Sequence, residues 1–355
     1  MKLFLTRSES VALRRCVSML QVSRSGFALS LLLGVTALGA AIALGGTAAW
    51  LIARASQQPP VLYLTVAATS VRLFGVSRAL ARSHKVALTG MDNLRNNLYD
   101  ELAAAPGTKL STLRRGDLMT RAGADVDEVG NVVVKTLLPA LVAAIVGVGT
   151  VGVITIISPA AGIILAISLV VSGVIAPAII ARSVRLAESQ GADARTDIAA
   201  TSLAILEGAT ELSMAGTLER ARRSLSESEV ALSTALARSA RLSAFARGLD
   251  VCAMGVAVIG ALLIGIPQTT SGVLAQVLLA VIVLVPLSAF EGVAELTPAA
   301  AQLVRSAQAA TRICSLLDEE APAQPHDIPE GPTVIEARDL AIGWPGGPTL
   351  ATGIS

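Results

Sequence analysis

Two long stretches of the chain carry no charged side chain: the 46 residues between Lys135 and Arg182, and the 40 between Asp250 and Glu291. Each is about twice the ~20 residues that a helix needs to cross a hydrocarbon core. Turn residues interrupt each near its middle, Ser158-Pro159 in the first and Pro267-Gln268-Thr269-Thr270-Ser271-Gly272 in the second. Lipid offers no water to the backbone, so only helices or closed barrels satisfy it there, and the pattern predicts two helical hairpins. A third uncharged block runs from Gly26 to Ala53. It is too long for a signal-peptide core and lacks a cleavage pattern, so it predicts a retained first span. A fourth candidate starts at Pro59-Pro60 and is apolar to Val71, where Arg72 interrupts it. Arg72 lies roughly 20 Å along a helix from Pro59, still inside a ~30 Å core, so this span is carried on to about Leu80. The expected fold is an all-α membrane protein of six spans, near 26–52, 60–80, 136–157, 160–181, 251–266 and 273–291.

The segments between spans read as helices rather than loops. Residues 8–24 place Leu13, Cys16, Val17 and Leu20 on one face and Arg14, Arg15 and Ser18 on another, the pattern of an interfacial helix. Met91–Ala105 and Ile198–Ser243 are rich in Ala, Leu, Glu and Arg, have apolar residues three and four apart, and contain no proline. A helix of ~25 residues reaches well over 30 Å, so two hairpins are expected to project from the bundle. Leu303–Leu317 reads as a helix leaving the membrane, and 318–332, with its prolines and acids, as a linker. From Thr333 the pattern alternates (Val334, Ile335, Ala337, Leu340, Ile342), the start of a second, strand-containing domain that the chain leaves short at Ser355.

Composition supports lipid: 53% hydrophobic, 15% charged, mean hydropathy +0.67. With six spans, Arg54 alone of the 28 basic residues falls on one side; the other 27 lie opposite or in the inner half of the second span. The excess of Lys and Arg predicts that 81–135, 182–250 and both chain ends are cytoplasmic, in a multi-pass protein of the inner membrane. A net charge of +2, with basic residues interleaved among acids, gives no sign of nucleic-acid binding. Cys16, Cys252 and Cys314 have no CxxC spacing and read as packing residues.

Several motifs carry a resemblance. Gly116-Asp117-Leu118-Met119-Thr120-Arg121 followed by Asp125-Val126-Asp127 is similar to a first-intracellular-loop motif, and Glu207-Gly208-Ala209-Thr210-Glu211-Leu212 to one in the second loop. Arg312-Ile313 through Leu316-Leu317-Asp318 is similar to the end of a sixth helix, and Ile335–Ile342 with Trp344 to the opening of a nucleotide-binding domain. Together they resemble the type I (ABCB-like) exporters of the ABC superfamily. Ser83-His84, Lys135 through Pro139, Glu207 through Leu212 and Ala289-Phe290-Glu291 resemble most the CydC-type subunits of heterodimeric CydDC exporters. That resemblance implies a six-helix transmembrane domain paired with a CydD-like half-transporter. It also implies ATP-driven movement of cysteine, glutathione or haem-related cargo, in support of cytochrome bd assembly. Export of lipid, peptide or drug, and a non-transporting membrane partner, are the alternative readings.

Two departures bear on these expectations. The family's R-Y-x-E-R stretch before the Ser-His pair is missing, since Arg82 joins directly to Ser83. About six residues fewer is ~1.67 helical turns, which rotates the helix beyond Arg82 by about 120°. Nor do the 355 residues contain the loop G-x-x-x-x-G-K-[ST], the ABC signature or a Walker B acid. Phosphoryl transfer needs amides and a lysine around the phosphates and an acid for Mg²⁺. This stretch of chain is therefore expected not to hydrolyse ATP by itself; ATP and Mg²⁺ belong to the full-length family.

Charged and aromatic residues at particular depths are the candidates for function. Arg72 and Arg78, cations at membrane depth, either line a pathway for anionic cargo or snorkel to the interface. His84 is a possible haem ligand by the resemblance, or a structural residue. Glu291 either lines the cavity or marks the helix's emergence into water. Gly116, Asp117, Arg121 and Asp125, with Glu207 and Gly208 in a turn at 199–208, are expected to couple the membrane helices to a motor, or else to hold neighbouring helices together. Trp344 resembles an adenine-stacking residue, idle without a phosphate loop.

Overall fold

The computed structural model describes residues 4–21, 23–58, 69–70, 96, 121–317, 337–343 and 349–354. Among them, five helices are long and apolar enough to cross a membrane. Apart from 69–70, the span expected at 60–80 lies outside the described residues, as do 97–120 and the linker at 318–332.

Helix α1 (Arg7–Met19) begins with a capping box: Thr6 Oγ1 accepts from the Glu9 amide at 3.3 Å, and the Glu9 carboxylate accepts from the Thr6 amide at 2.8 Å. Helix α2 (Arg24–Ala55) covers the expected first span. Helix α3 occupies 121–157 and is built of a wide π turn at Arg121–Asp125, an α segment Val126–Val132, a second π turn Val133–Leu137 and the apolar segment Leu138–Ile157. Ser158, extended at φ −148°, turns the chain, and Pro159 opens α4 at a position where its missing N–H costs nothing.

Helix α4 spans 159–214 and includes a π turn at Val171–Ile175. The π turns at 133–137 and 171–175 each end two residues before a proline, Pro139 and Pro177. A proline ring clashes with the carbonyl four residues back, and a widened turn relieves the clash without ending the helix.

Helix α5 (Leu218–Thr270) returns antiparallel to α4 through Ala215-Gly216-Thr217, and Gly216, at φ +67°, takes a conformation that side chains disfavour. Helices α6 (Gln276–Ala294) and α7 (Leu296–Leu317) are separated only at Glu295. The exit helix therefore starts seven residues earlier than the Leu303 expected from sequence. Strands β1 (Leu340–Gly343) and β2 (Thr349–Ile354) form an antiparallel pair.

The apolar part of the bundle is one core that includes Ile42, Val142, Ile154, Leu165, Ile282 and Phe290. Helices α2 and α6 approach closely: a Cβ at Gly45 would collide with Ser288, and one at Gly46 would touch Val285. Such small-residue contacts are how helices associate where lipid is as apolar as a leucine. At one end of the bundle, Gln57 bonds Gln276 at 3.5 Å and Ser158 bonds Gln268 at 3.0 Å. The opposite end carries the long charged extensions. Past Arg182, α4 runs on for roughly 50 Å, and α5 covers the same distance before Asp250.

Two expectations need correcting. No turn lies at 199–208: the helix bends at Gly208 (φ −111°, ψ 18°) and continues to Met214. The turn of the expected hairpin lies instead at 215–217, where Gly216 supplies the positive φ. The face of α1 that an interfacial helix would give to lipid is instead covered by protein, since Leu13, Cys16 and Leu20 pack with Val126, Val129, Ala310 and Ile313.

Candidate functional site

A cavity of about 390 Å³ lies between α2, α3 and α6, lined by Ser30, Gly34, Leu38, Pro139, Val142 and, at its rim, Glu291 and Glu295. On α2 it begins about 9 Å from Arg24, at 1.5 Å per residue, so it sits toward the charged end of the bundle. Glu291 and Glu295 are one turn apart, at and just beyond the last turn of α6. Like charges four residues apart repel, whereas Glu295, immediately before the first turn of α7, complements the dipole of that helix. Chemically the pair suits a cation or an ammonium group. Sequence reasoning singled out Glu291 and missed Glu295; the four-residue spacing in Glu291-Gly292-Val293-Ala294-Glu295 was the available signal.

A second cavity, about 490 Å³, is almost wholly apolar and lies between α3, α4 and the α6–α7 junction, lined by residues such as Ala140, Val148, Leu169, Val170 and Leu303.

At the charged end, α3 and α7 are joined antiparallel by a ladder of polar contacts. Arg312 donates from Nε to Asp125 Oδ2 at 3.0 Å and from Nη2 to Oδ1 at 2.6 Å. The Asp125 side chain is 6% exposed and that of Arg312 is 51% exposed. The hydrogen bond to Asp125 raises the Arg312 pKa, against a smaller lowering by burial. One turn further along α3, Arg305 donates to Glu128 Oε1 at 3.0 Å, and Ser306 to the Glu128 carbonyl at 2.5 Å. Thr136 closes the ladder on the Ala299 carbonyl at 3.0 Å.

Arg185 ties α4 to the chain start, donating to Glu9 Oε2 at 2.7 Å and to the Phe4 carbonyl at 2.8 Å. Ser183 bonds Ser239 at 2.8 Å and Ser243 at 3.2 Å, fastening the α4–α5 hairpin. Ser172 donates to Asp250 where that hairpin enters the apolar zone.

The far end of the hairpin is different. Leu203, Leu206 and Met214 are exposed around the Gly208 bend, and Glu207 is exposed beside them. The end of this charged helical arm is therefore apolar and exposed.

Of the residues expected from sequence, the described part of the chain places Glu291 at the acidic cavity, Asp125 in the ladder, Glu207 and Gly208 at the hairpin tip, and Arg121 in the π turn that opens α3. Arg72, Arg78, His84, Gly116, Asp117 and Trp344 lie outside the described residues. The partnership of Asp125 with Arg312 joins positions 187 apart in sequence, and no spacing rule announces it. Among the described residues, no group of three or more His, Cys, Asp or Glu side chains is arranged to hold a metal ion.

No protein-family model matches the chain. Over 122 residues it is 28% identical to the "Glutathione/L-cysteine transport system ATP-binding/permease protein CydD" of Bacillus subtilis (strain 168). That alignment takes in 32% of this chain and 21% of that protein, so the chain spans about a fifth of the length of the curated relative it matches.

Proposed function

We propose that this chain, a multi-pass helical membrane protein, is the membrane-spanning part of an ABC-type exporter subunit. It is CydC-like, pairs with a CydD-like half-transporter, and moves cysteine, glutathione or haem-related cargo across the cytoplasmic membrane in support of cytochrome bd assembly. The observation that carries the reading is the α4–α5 hairpin: two helices leave the apolar zone unbroken, run roughly 50 Å as a fastened charged pair, and end in an exposed apolar tip. The partial similarity to an ATP-binding/permease protein supports it.

On this reading both chain ends and the hairpin tip are cytoplasmic. ATP with Mg²⁺ supplies the free energy when held by nucleotide-binding domains. The sequence contains no phosphate-cradling loop, so no residue of this chain is given a part in phosphoryl transfer. The chain's own contribution is transmission and recognition. A push at the hairpin tip travels along α4 and α5 to their root, where Ser183 fixes one on the other. The Asp125–Arg312 and Glu128–Arg305 pairs make the cytoplasmic parts of α3 and α7 move together. Rocking of these packed units changes which side the cavity faces.

Glu291 and Glu295 accept the α-ammonium of a thiol amino acid or peptide, while Arg72 and Arg78 attract its carboxylates; His84 is the group suited to haem iron. A second reading, export of lipid or another apolar molecule, is favoured by the apolar cavity beside Val148 and Leu169.

Co-expression with a CydD-like partner, followed by uptake of radiolabelled cysteine or glutathione into inverted vesicles, separates the two. ATP-dependent thiol uptake that falls at least tenfold in Glu291→Gln/Glu295→Gln supports the first. Assembly with the partner but no thiol uptake, alongside movement of a fluorescent lipid, supports the second.

A further inference from the structure

We infer that Cys16 and Cys314 form a thiol pair that a small anionic disulfide converts to an intramolecular disulfide, clasping α1 to α7. The two positions are 298 residues apart, yet their sulfurs lie 3.8 Å from each other in the core between these helices. The contact is reciprocal: the Cys16 thiol faces the Ala310 carbonyl at 3.8 Å and the Cys314 thiol faces the Ala12 carbonyl at 3.7 Å. Each carbonyl belongs to the residue four before the opposing cysteine, so the helices cross at the cysteines, and buried alanines let them approach. A disulfide needs its sulfurs about 2.05 Å apart, so the two side chains rotate toward each other when the bond closes.

Cys314, itself 6% exposed, lies at the floor of a groove of about 750 Å³ between α1 and α7, and Arg7, Val11 and Arg15 border it at four-residue spacing on α1. Arg7 and Arg15 are exposed, so the groove mouth carries positive charge. A disulfide RSSR bearing carboxylates is drawn there and meets Cys314 first. The Cys314 thiolate attacks one sulfur of RSSR, giving a mixed disulfide and releasing RS⁻. The Cys16 thiolate, fully buried behind it, then attacks the Cys314 sulfur and releases a second RS⁻. The two protons lost by the cysteines end on the released thiols. Net, two protein thiols and RSSR become one protein disulfide and two RSH. The clasp depends on the α1–α7 geometry alone, not on the cargo.

The test uses the full chain carrying Cys252→Ala, which removes the exposed third thiol. It is treated with the anionic 3,3′-dithiodipropionate or the neutral bis(2-hydroxyethyl) disulfide, and read by intact mass and peptide mapping. The expected product has lost two hydrogens, carries no adduct, and yields a reducible peptide joining Cys16 to Cys314. Cys16→Ser is expected to stop at a mixed disulfide on Cys314, and Arg7→Gln/Arg15→Gln to slow the anionic reagent about tenfold while leaving the neutral one unchanged. Thiols that stay free, or two separate adducts without a cross-link, overturn the clasp. Equal sensitivity of both reagents to the arginine substitutions overturns the role of the groove.

Discussion

The two ends of these helices are held together by different means. In the apolar zone, α2 meets α6 through Gly45 and Gly46, and Ile154, Leu165 and Ile282 fill the space between helices. Beyond it, α3 meets α7 through a few charged and hydroxyl pairs, with Asp125 held by Arg312 at its centre. In lipid there is no hydrophobic gain from helix association, so close approach decides packing. At the charged end water competes for every polar group, and a buried ion pair contributes register and orientation more than net stability.

Substitutions sharpen this contrast. Val148, in the middle of the apolar segment of α3, is 74% exposed on the protein surface. Val148→Asp should reduce insertion of that helix by about 3 kcal/mol in a glycosylation reporter, and unchanged insertion would mean that this face does not meet lipid. Arg312→Ala leaves the Asp125 carboxylate buried and unpaired. Thermal unfolding in detergent should show a loss of about 2 kcal/mol, less than for a fully buried pair because Arg312 is half exposed. Removing both partners should restore part of that loss; a double variant as unstable as the sum of the singles would deny the coupling.

Gly45→Val presses a side chain into Ser288 and should cost about 1.5 kcal/mol, with Gly39→Val, where no atom lies within 4 Å of the added Cβ, as the silent control. Thr6→Ala, which removes the α1 cap, should lower stability by about 1 kcal/mol and make the chain start more sensitive to protease.

Much of the membrane architecture was legible beforehand, because lipid tolerates so few charges that the uncharged blocks could hardly be anything but spans. The edges at Arg24, Ser158 and Gln276 all fall within a few residues of expectation. The helical character of 182–250 was legible too, from its composition and lack of proline. Its turn was misplaced: Gly208 only bends the helix, whereas Gly216 reverses the chain. Both glycines stand in the same exposed stretch, and only Gly216 takes the positive φ that reverses the chain. The candidate sites were half legible. Glu291 announced itself as a charge at the end of an apolar run, but the Asp125–Arg312 and Cys16–Cys314 partnerships depend on tertiary crossings between distant segments, for which no local pattern exists.

The most direct test of the account is the side of the membrane on which the hairpin lies. Single cysteines at Gln57 and Ser226, in a Cys16→Ser/Cys252→Ala/Cys314→Ser background, can be probed in intact cells with a membrane-impermeant maleimide. Gln57→Cys should label from outside, and Ser226→Cys only after the membrane is permeabilised. Labelling of Ser226→Cys in intact cells, with Gln57→Cys protected, would put the hairpin tip where no ATP-driven motor can reach it and would contradict the account.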